Sequence, residues 1–82
     1  MDPIVVTLDY PFAYKGETIQ TITFKRRAKV RDQLAAAKAG KDSASQEIAL
    51  LANLAEVAPD MLHEVDMADY AKLQQVLADF FS

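Results

Sequence analysis

The spacing of apolar residues changes once along the chain, near residue 27. Before that point apolar and polar positions alternate, as in half-buried strands; after it apolar residues recur at three and four, as on one face of a helix. In I-V-V-T-L-D (4–9), Ile4, Val6 and Leu8 share one strand face. In T-I-Q-T-I-T-F-K (18–25), Ile22 and Phe24 share one face and Ile19, Thr21 and Thr23 the other. Pro11 is expected to stop the first strand, and Gly16 to supply a turn residue able to take positive φ. The pattern therefore predicts a β-hairpin. Two strands alone are marginal in water, so the hairpin must lie against something.

The helical half provides that support. A first helix is expected over about 29–39, with Val30, Leu34 and Ala37 as a thin apolar stripe and Gly40 ending it. No good capping residue precedes it. K-D-S-A-S follows as a polar link, in which Asp42, Ser43 or Ser45 can cap a second helix; Ser43 and Gln46 have capping-box spacing. The core stripe of that helix is Ile48, Leu51, Leu54 and Ala55, with Leu50 on its flank. Pro59 is placed to open a short helical turn. Asp66 is placed to cap the last helix, with Asp69 adding negative charge at the positive end of its dipole. In that helix Tyr70, Leu73, Val76, Leu77, Phe80 and Phe81 recur at helical spacing.

The resulting expectation is an α+β fold: an N-terminal antiparallel β-hairpin packed on a bundle of three to four short α-helices. Eighty-two residues leave room for a single domain, with the hairpin over about 3–26 and the helical part over about 29–82. Leu51, Leu54, Tyr70, Leu73 and Leu77 are the expected core. At 51% hydrophobic and 26% charged the composition is that of an ordinary globular chain, which excludes a disordered one. Met1-Asp2-Pro3 lacks the basic start of a signal peptide, and no apolar run approaches the roughly 18 residues of a membrane span. A soluble, cytoplasmic protein is expected.

Charge is unevenly spread. The basic residues concentrate before Asp42, including Lys25, Arg26, Arg27, Lys29 and Arg31. After Lys41 only Lys72 is basic, against eight acidic residues. The cluster at 25–31 could face nucleic acid. The cluster is better read as a solvated strand end and first helical turn, since it is short and no aromatic residue is interleaved among its charges to stack on bases. Opposite charges at the two ends also allow pairing within one molecule or between copies.

Candidate chemistry is sparse. His63 is the single histidine and there is no cysteine, so no metal set is expected from Asp60, His63 and Glu64. Asp60 and Glu64 lie at i, i+4, but carboxylates at the start of a short helix favour its dipole without catalysis. No nucleophile elbow is present, and two glycines make no phosphate loop. The chain is expected to be no enzyme and to carry no cofactor. The aromatic residues are left to explain. Phe80 and Phe81 lie about 100° apart around a helix, so both are hard to bury together. Tyr10, Phe12 and Tyr14 alternate around the hairpin loop, either folded back over the sheet or forming a contact patch.

The order of elements carries a resemblance. P-F-A-Y-K-G-E-T-I-Q-T-I-T-F-K-R-R (11–27), V-R-D-Q-L-A-A (30–36), E-I-A-L-L-A-N-L (47–54), P-D-M-L (59–62) and D-M-A-D-Y-A-K-L-Q (66–74) before a closing D-F-F resemble the small tail assembly chaperones of Mu-like and P2-like contractile-tailed phages and prophages. Ala28 departs from the pattern, standing where proline would separate strand from helix. The resemblance implies a non-enzymatic role in virion assembly: binding the helical tape-measure protein in the host cytoplasm before the tail tube polymerises, and absence from the mature virion. It also implies a longer form made by programmed frameshifting, and a homo-oligomer is compatible with the charge asymmetry. The surface expected to meet the partner runs along the last helix through Tyr70, Leu77, Phe80 and Phe81, where no following segment buries the helix end. Phe12 and Tyr14 at the hairpin loop are the second candidate. The rival function is a small DNA-binding regulator or antitoxin using residues 25–31. A helix reading L-A-A-A-K-A offers few base-reading side chains for that role.

Overall fold

The computed structural model describes residues 2–82 and has the element order β1 (Ile4–Tyr14), β2 (Glu17–Phe24), α1 (Val30–Ala39), α2 (Ser43–Ala55), α3 (Pro59–Leu62) and α4 (Met67–Phe80). The architecture is α+β: β1 and β2 form a two-stranded antiparallel hairpin, and the helices follow.

The hairpin turn is only Lys15–Gly16, between the paired residues Tyr14 and Glu17. Lys15 (φ 50°) and Gly16 (φ 82°) both take positive φ, which makes it the type I′ turn whose twist matches that of the flanking strands. Pro11 does not end the first strand as expected; β1 runs through it to Tyr14. The ladder instead breaks. Thr7 pairs with Thr21 and Phe12 with Ile19, so residues 8–11 bulge out opposite Gln20 alone. Proline has no N–H to give a ladder, and a bulge is where a strand tolerates it. The bulge also carries the chain past a change of face. Val6, Leu8, Ile22 and Phe24 are buried as their alternation requires, and Phe12 and Ile19, paired beyond the bulge, pack against the same core half-buried.

The central element is α2. It touches α1, α3 and β2, and buries Ala49, Leu50, Leu51, Ala52, Leu54 and Ala55. Burial on more than one side moves Leu50 from the expected flank into the core and leaves Ile48 only half-buried. Asp42 is its cap, accepting from the Ser45 N–H at 2.8 Å. The Ser43–Gln46 capping box does not form; the Gln46 amide donates to the Gly40 carbonyl at 3.2 Å. Gly40 ends α1 in extended backbone (φ −126°), and its need is steric, since a Cβ there would sit 2.7 Å from the Gln46 nitrogen. Pro59 opens α3 and Asp66 caps α4, accepting from the Ala68 N–H at 2.9 Å.

The apolar stripe expected on α1 is on the wrong side. Asp32 and Ala36 face inward, while Val30, Leu34 and Ala37 are exposed. The cause is an ion pair that hydrophobic periodicity does not register. Asp32 accepts two bonds from the Arg26 guanidinium, at 2.7 and 2.8 Å, and one from the Lys29 N–H at 2.8 Å. The same carboxylate supplies the missing cap: lysine has no side-chain acceptor, so only the Asp32 half of a capping box exists.

The Arg26 hydrogen bonds hold the Asp32 carboxyl down at about 2, against the opposing effect of its burial. A carboxyl lowered on folding stabilises the fold above its unfolded value near 4 and loses that contribution as pH falls through the folded value. Arg26 is about one third exposed (35%), so solvent screening limits the contribution to about 1–2 kcal/mol at neutral pH. Asp32→Asn is expected to melt below wild type at pH 7, with the gap closing between pH ~4 and ~2. Melting curves across that range check it; a constant gap would contradict the assignment.

Candidate partner-binding surface

The last helix presents far less apolar surface than its sequence suggests. Leu73, Leu77 and Phe80 are buried, and Tyr70 and Val76 are half-buried. The Phe80 ring meets Phe24 edge-on with centroids 6.4 Å apart, and the Arg27 guanidinium lies 5.4 Å from its centroid. Arg27 also donates to the Phe80 carbonyl at 3.0 Å, a cation at the negative end of the helix dipole. Tyr70 donates its hydroxyl to Glu47 at 2.6 Å, and burial together with that carboxylate pushes its pKa up. Phe81 alone among these aromatics is exposed, at 69%.

Phe12 and Tyr14 occupy a different place. They lie half-buried on one face of β1, and the Tyr14 hydroxyl donates to Asp60 at the start of α3, at 2.9 Å. Tyr10 is exposed within the bulge. The six residues expected to meet a partner are thus divided: Leu77 and Phe80 in the core, Tyr70, Phe12 and Tyr14 half-buried in internal contacts, and Phe81 open to solvent.

Phe81 has neighbours that the sequence pattern does not assign to it. Val30 (77% exposed) lines the same hollow as Phe81, and Leu34 (60% exposed) stands one turn further along α1, outside the lining. Two adjoining hollows of about 240 and 380 Å³ run between α1, α2 and the end of α4, and both are lined by Gln33, Leu50 and Phe81. Val30 edges one hollow, and Ala37 and Leu77 the other. The result is a shallow groove with Phe81 as one wall, apolar where Val30, Leu50 and Phe81 meet and more polar toward Ser43, Gln46 and Glu47. Val30 and Leu34 escape a sequence reading because they satisfy helical spacing for the core. The available signal is Asp32 six residues after Arg26, which competes for the inward face.

The basic cluster is largely engaged within the molecule. Arg26 is held by Asp32, Arg27 by the end of α4, and Lys25 lies 3.5 Å from Glu56. Among the described residues Lys29, Arg31 and Lys38 form no ion pair. In the acidic half, Lys72 reaches back to the hairpin, bonding the Thr7 carbonyl at 3.1 Å and Asp9 at 2.9 Å. His63 is exposed at the end of α3. Among the described residues no three His, Cys, Asp or Glu side chains converge as a metal site would require, and no helix is long and apolar enough to cross a membrane.

The sequence profile of the family described as "Phage tail assembly chaperone proteins, E, or 41 or 14" matches residues 5–82. No curated protein and no solved structure matches the chain.

Proposed function

The chain belongs to the phage tail assembly chaperone family, and from that premise we propose that it binds the helical tape-measure protein during tail morphogenesis. It acts without catalysis, in the cytoplasm of the bacterial host, on a contractile-tailed phage or prophage, and is left out of the mature virion. A tape-measure protein is long and amphipathic, and before the tube forms around it its apolar stripes are exposed to aggregation. A chaperone needs an apolar surface that stays open in its own folded state. The observation that carries this reading is such a surface: Val30 and Phe81 stand in solvent at the edges of a groove, and Leu34 continues the exposed apolar side of α1 beyond it, on a chain whose other large apolar residues mostly close a core.

Co-expression with the tape-measure protein of the same locus tests the proposal. Phe81→Ser and Leu34→Ser change exposed side chains, so both are expected to melt within about 0.5 kcal/mol of wild type. Wild type is expected to keep the tape-measure protein in the soluble fraction, and each folded variant to leave most of it in the pellet. A tape-measure protein equally insoluble with and without the wild-type chain would end the proposal. Folded variants that protect as well as wild type would move the binding surface elsewhere, first to Phe12 and Tyr14.

A further inference from the structure

We infer that the groove between α1 and the end of α4 takes one amphipathic helix of about three turns whose apolar stripe is flanked by acidic residues. This inference rests on the chaperone reading and adds the chemistry of the segment bound. Length comes from α1, whose ten residues give a wall of about 15 Å. The apolar stripe is set by what the groove offers. Val30 and Ala37 line the groove from α1, Leu50 lies on the floor and Phe81 stands opposite, while Leu34 extends the apolar side of α1 just outside the lining.

The flanking charge follows from the cations around that stripe. Lys29 lines the groove itself. Arg31 and Lys38 are seven residues apart on α1 and border the outer edge of the Val30–Leu34 stripe. None of the three pairs with a carboxylate among the described residues. The one acid of α1, Asp32, is turned inward and neutralised by Arg26, so the outer face of the helix is purely basic. Glu47 lines the far side of the groove, where its carboxylate accepts from Tyr70 and Gln74, so the basic edge of the site is the α1 side. A helix with basic flanks would meet uncompensated like charge along α1. One with acidic flanks would gain exposed ion pairs, weak singly and additive in number, while its apolar stripe meets Phe81 and Val30.

Overlapping helical peptides covering the tape-measure protein of the same locus are the probe, titrated against the labelled full chain by fluorescence anisotropy. The expected binders carry an apolar stripe edged by Asp or Glu. The combined variant Lys29→Glu, Arg31→Glu, Lys38→Glu is expected to weaken them about tenfold or more. Raising salt from about 50 to about 500 mM should weaken wild-type binding and strengthen that of the charge-reversed variant, whose repulsion of acidic flanks is then screened. Phe81→Ser should weaken binding at both salt concentrations. Circular dichroism melts establish that each variant is folded.

Binders with basic flanks, or binding indifferent both to the charge reversal and to salt, would overturn the inference. So would full binding by folded Leu34→Ser and Phe81→Ser. Sedimentation showing that wild type self-associates through Leu34 and Phe81, without competition from any peptide, would assign the groove to a second copy instead. If no peptide binds while the whole tape-measure protein is still kept soluble, the groove assignment fails and the chaperone reading stands. If the whole protein is not kept soluble, the chaperone reading fails first.

Discussion

Asp69→Ala is expected to lower the melting temperature by more than ~10 °C. Asp69 lies in the first turn of α4, where its sequence position suggests only a dipole effect. Its side chain is 0% exposed. It accepts from the Asp9 N–H at 2.9 Å and the Tyr10 N–H at 3.0 Å, inside the bulge of β1. Those two N–H groups lie where the ladder is interrupted, so the carboxylate takes over the pairing that β2 cannot provide. Lys72, 3.3 Å away, supplies a compensating charge.

Burial works against the charge on Asp69 more strongly than any one partner supports it, yet the two N–H groups and Lys72 together hold its pKa below the usual carboxylate range. Alanine would leave both N–H groups unpaired and the helix–hairpin contact untied. Asn retains one acceptor oxygen but turns an amide N–H₂ toward a donor, so Asp69→Asn is expected to fall between alanine and wild type. Lys72→Met should cost much less, because Lys72 is 38% exposed and neutralises a carboxylate whose backbone bonds remain. Thermal melts of the three variants at neutral pH check the order. Wild-type-like melting of Asp69→Ala would mean that water replaces the carboxylate in the bulge at no loss.

This pair of residues also marks where the sequence stops being informative. Alternation in 4–9 and 18–25 gives the hairpin, and Pro59, Asp66 and Asp42 mark helix starts, because each of those signals acts within a few residues of itself. The contacts that orient one element on another act across the chain. Asp69 bonds backbone sixty residues earlier, and nothing local to D-M-A-D-Y-A-K distinguishes a carboxylate that will be buried from one left in solvent. The α1 face is inverted for the same reason. A buried, paired Asp32 counts as polar in any periodicity, so the pattern turns Val30 and Leu34 inward and loses the surface they form outside. Phe81 is the part of the candidate site that sequence does reach, because it lies about 100° around the last helix from Phe80, and that helix buries one side only.

Leu54→Ala and Leu73→Ala are each expected to cost about 2–5 kcal/mol, and Leu34→Ala on α1 less than about 0.5 kcal/mol. Leu54 and Leu73 are fully buried, on the two longest helices. Truncating either removes apolar contacts from a close-packed site that the surrounding helices can only partly refill. A domain of this size is held by roughly 4–12 kcal/mol, so one such cavity takes a large share of the stability and Leu73→Ala could melt near working temperature. Leu34 is the control. By spacing it belongs to the same kind of stripe, yet it stands in solvent, and alanine there removes surface that was never buried while raising helix propensity. Urea titrations of the three variants separate the cases: midpoints should fall sharply for Leu54→Ala and Leu73→Ala and hold for Leu34→Ala, with slopes unchanged if unfolding stays two-state. A Leu34→Ala midpoint as low as the other two would mean that the outward face of α1 is covered in solution. Self-association of the chain at the concentration of the titration is what would cover it, and the midpoint would then rise with protein concentration.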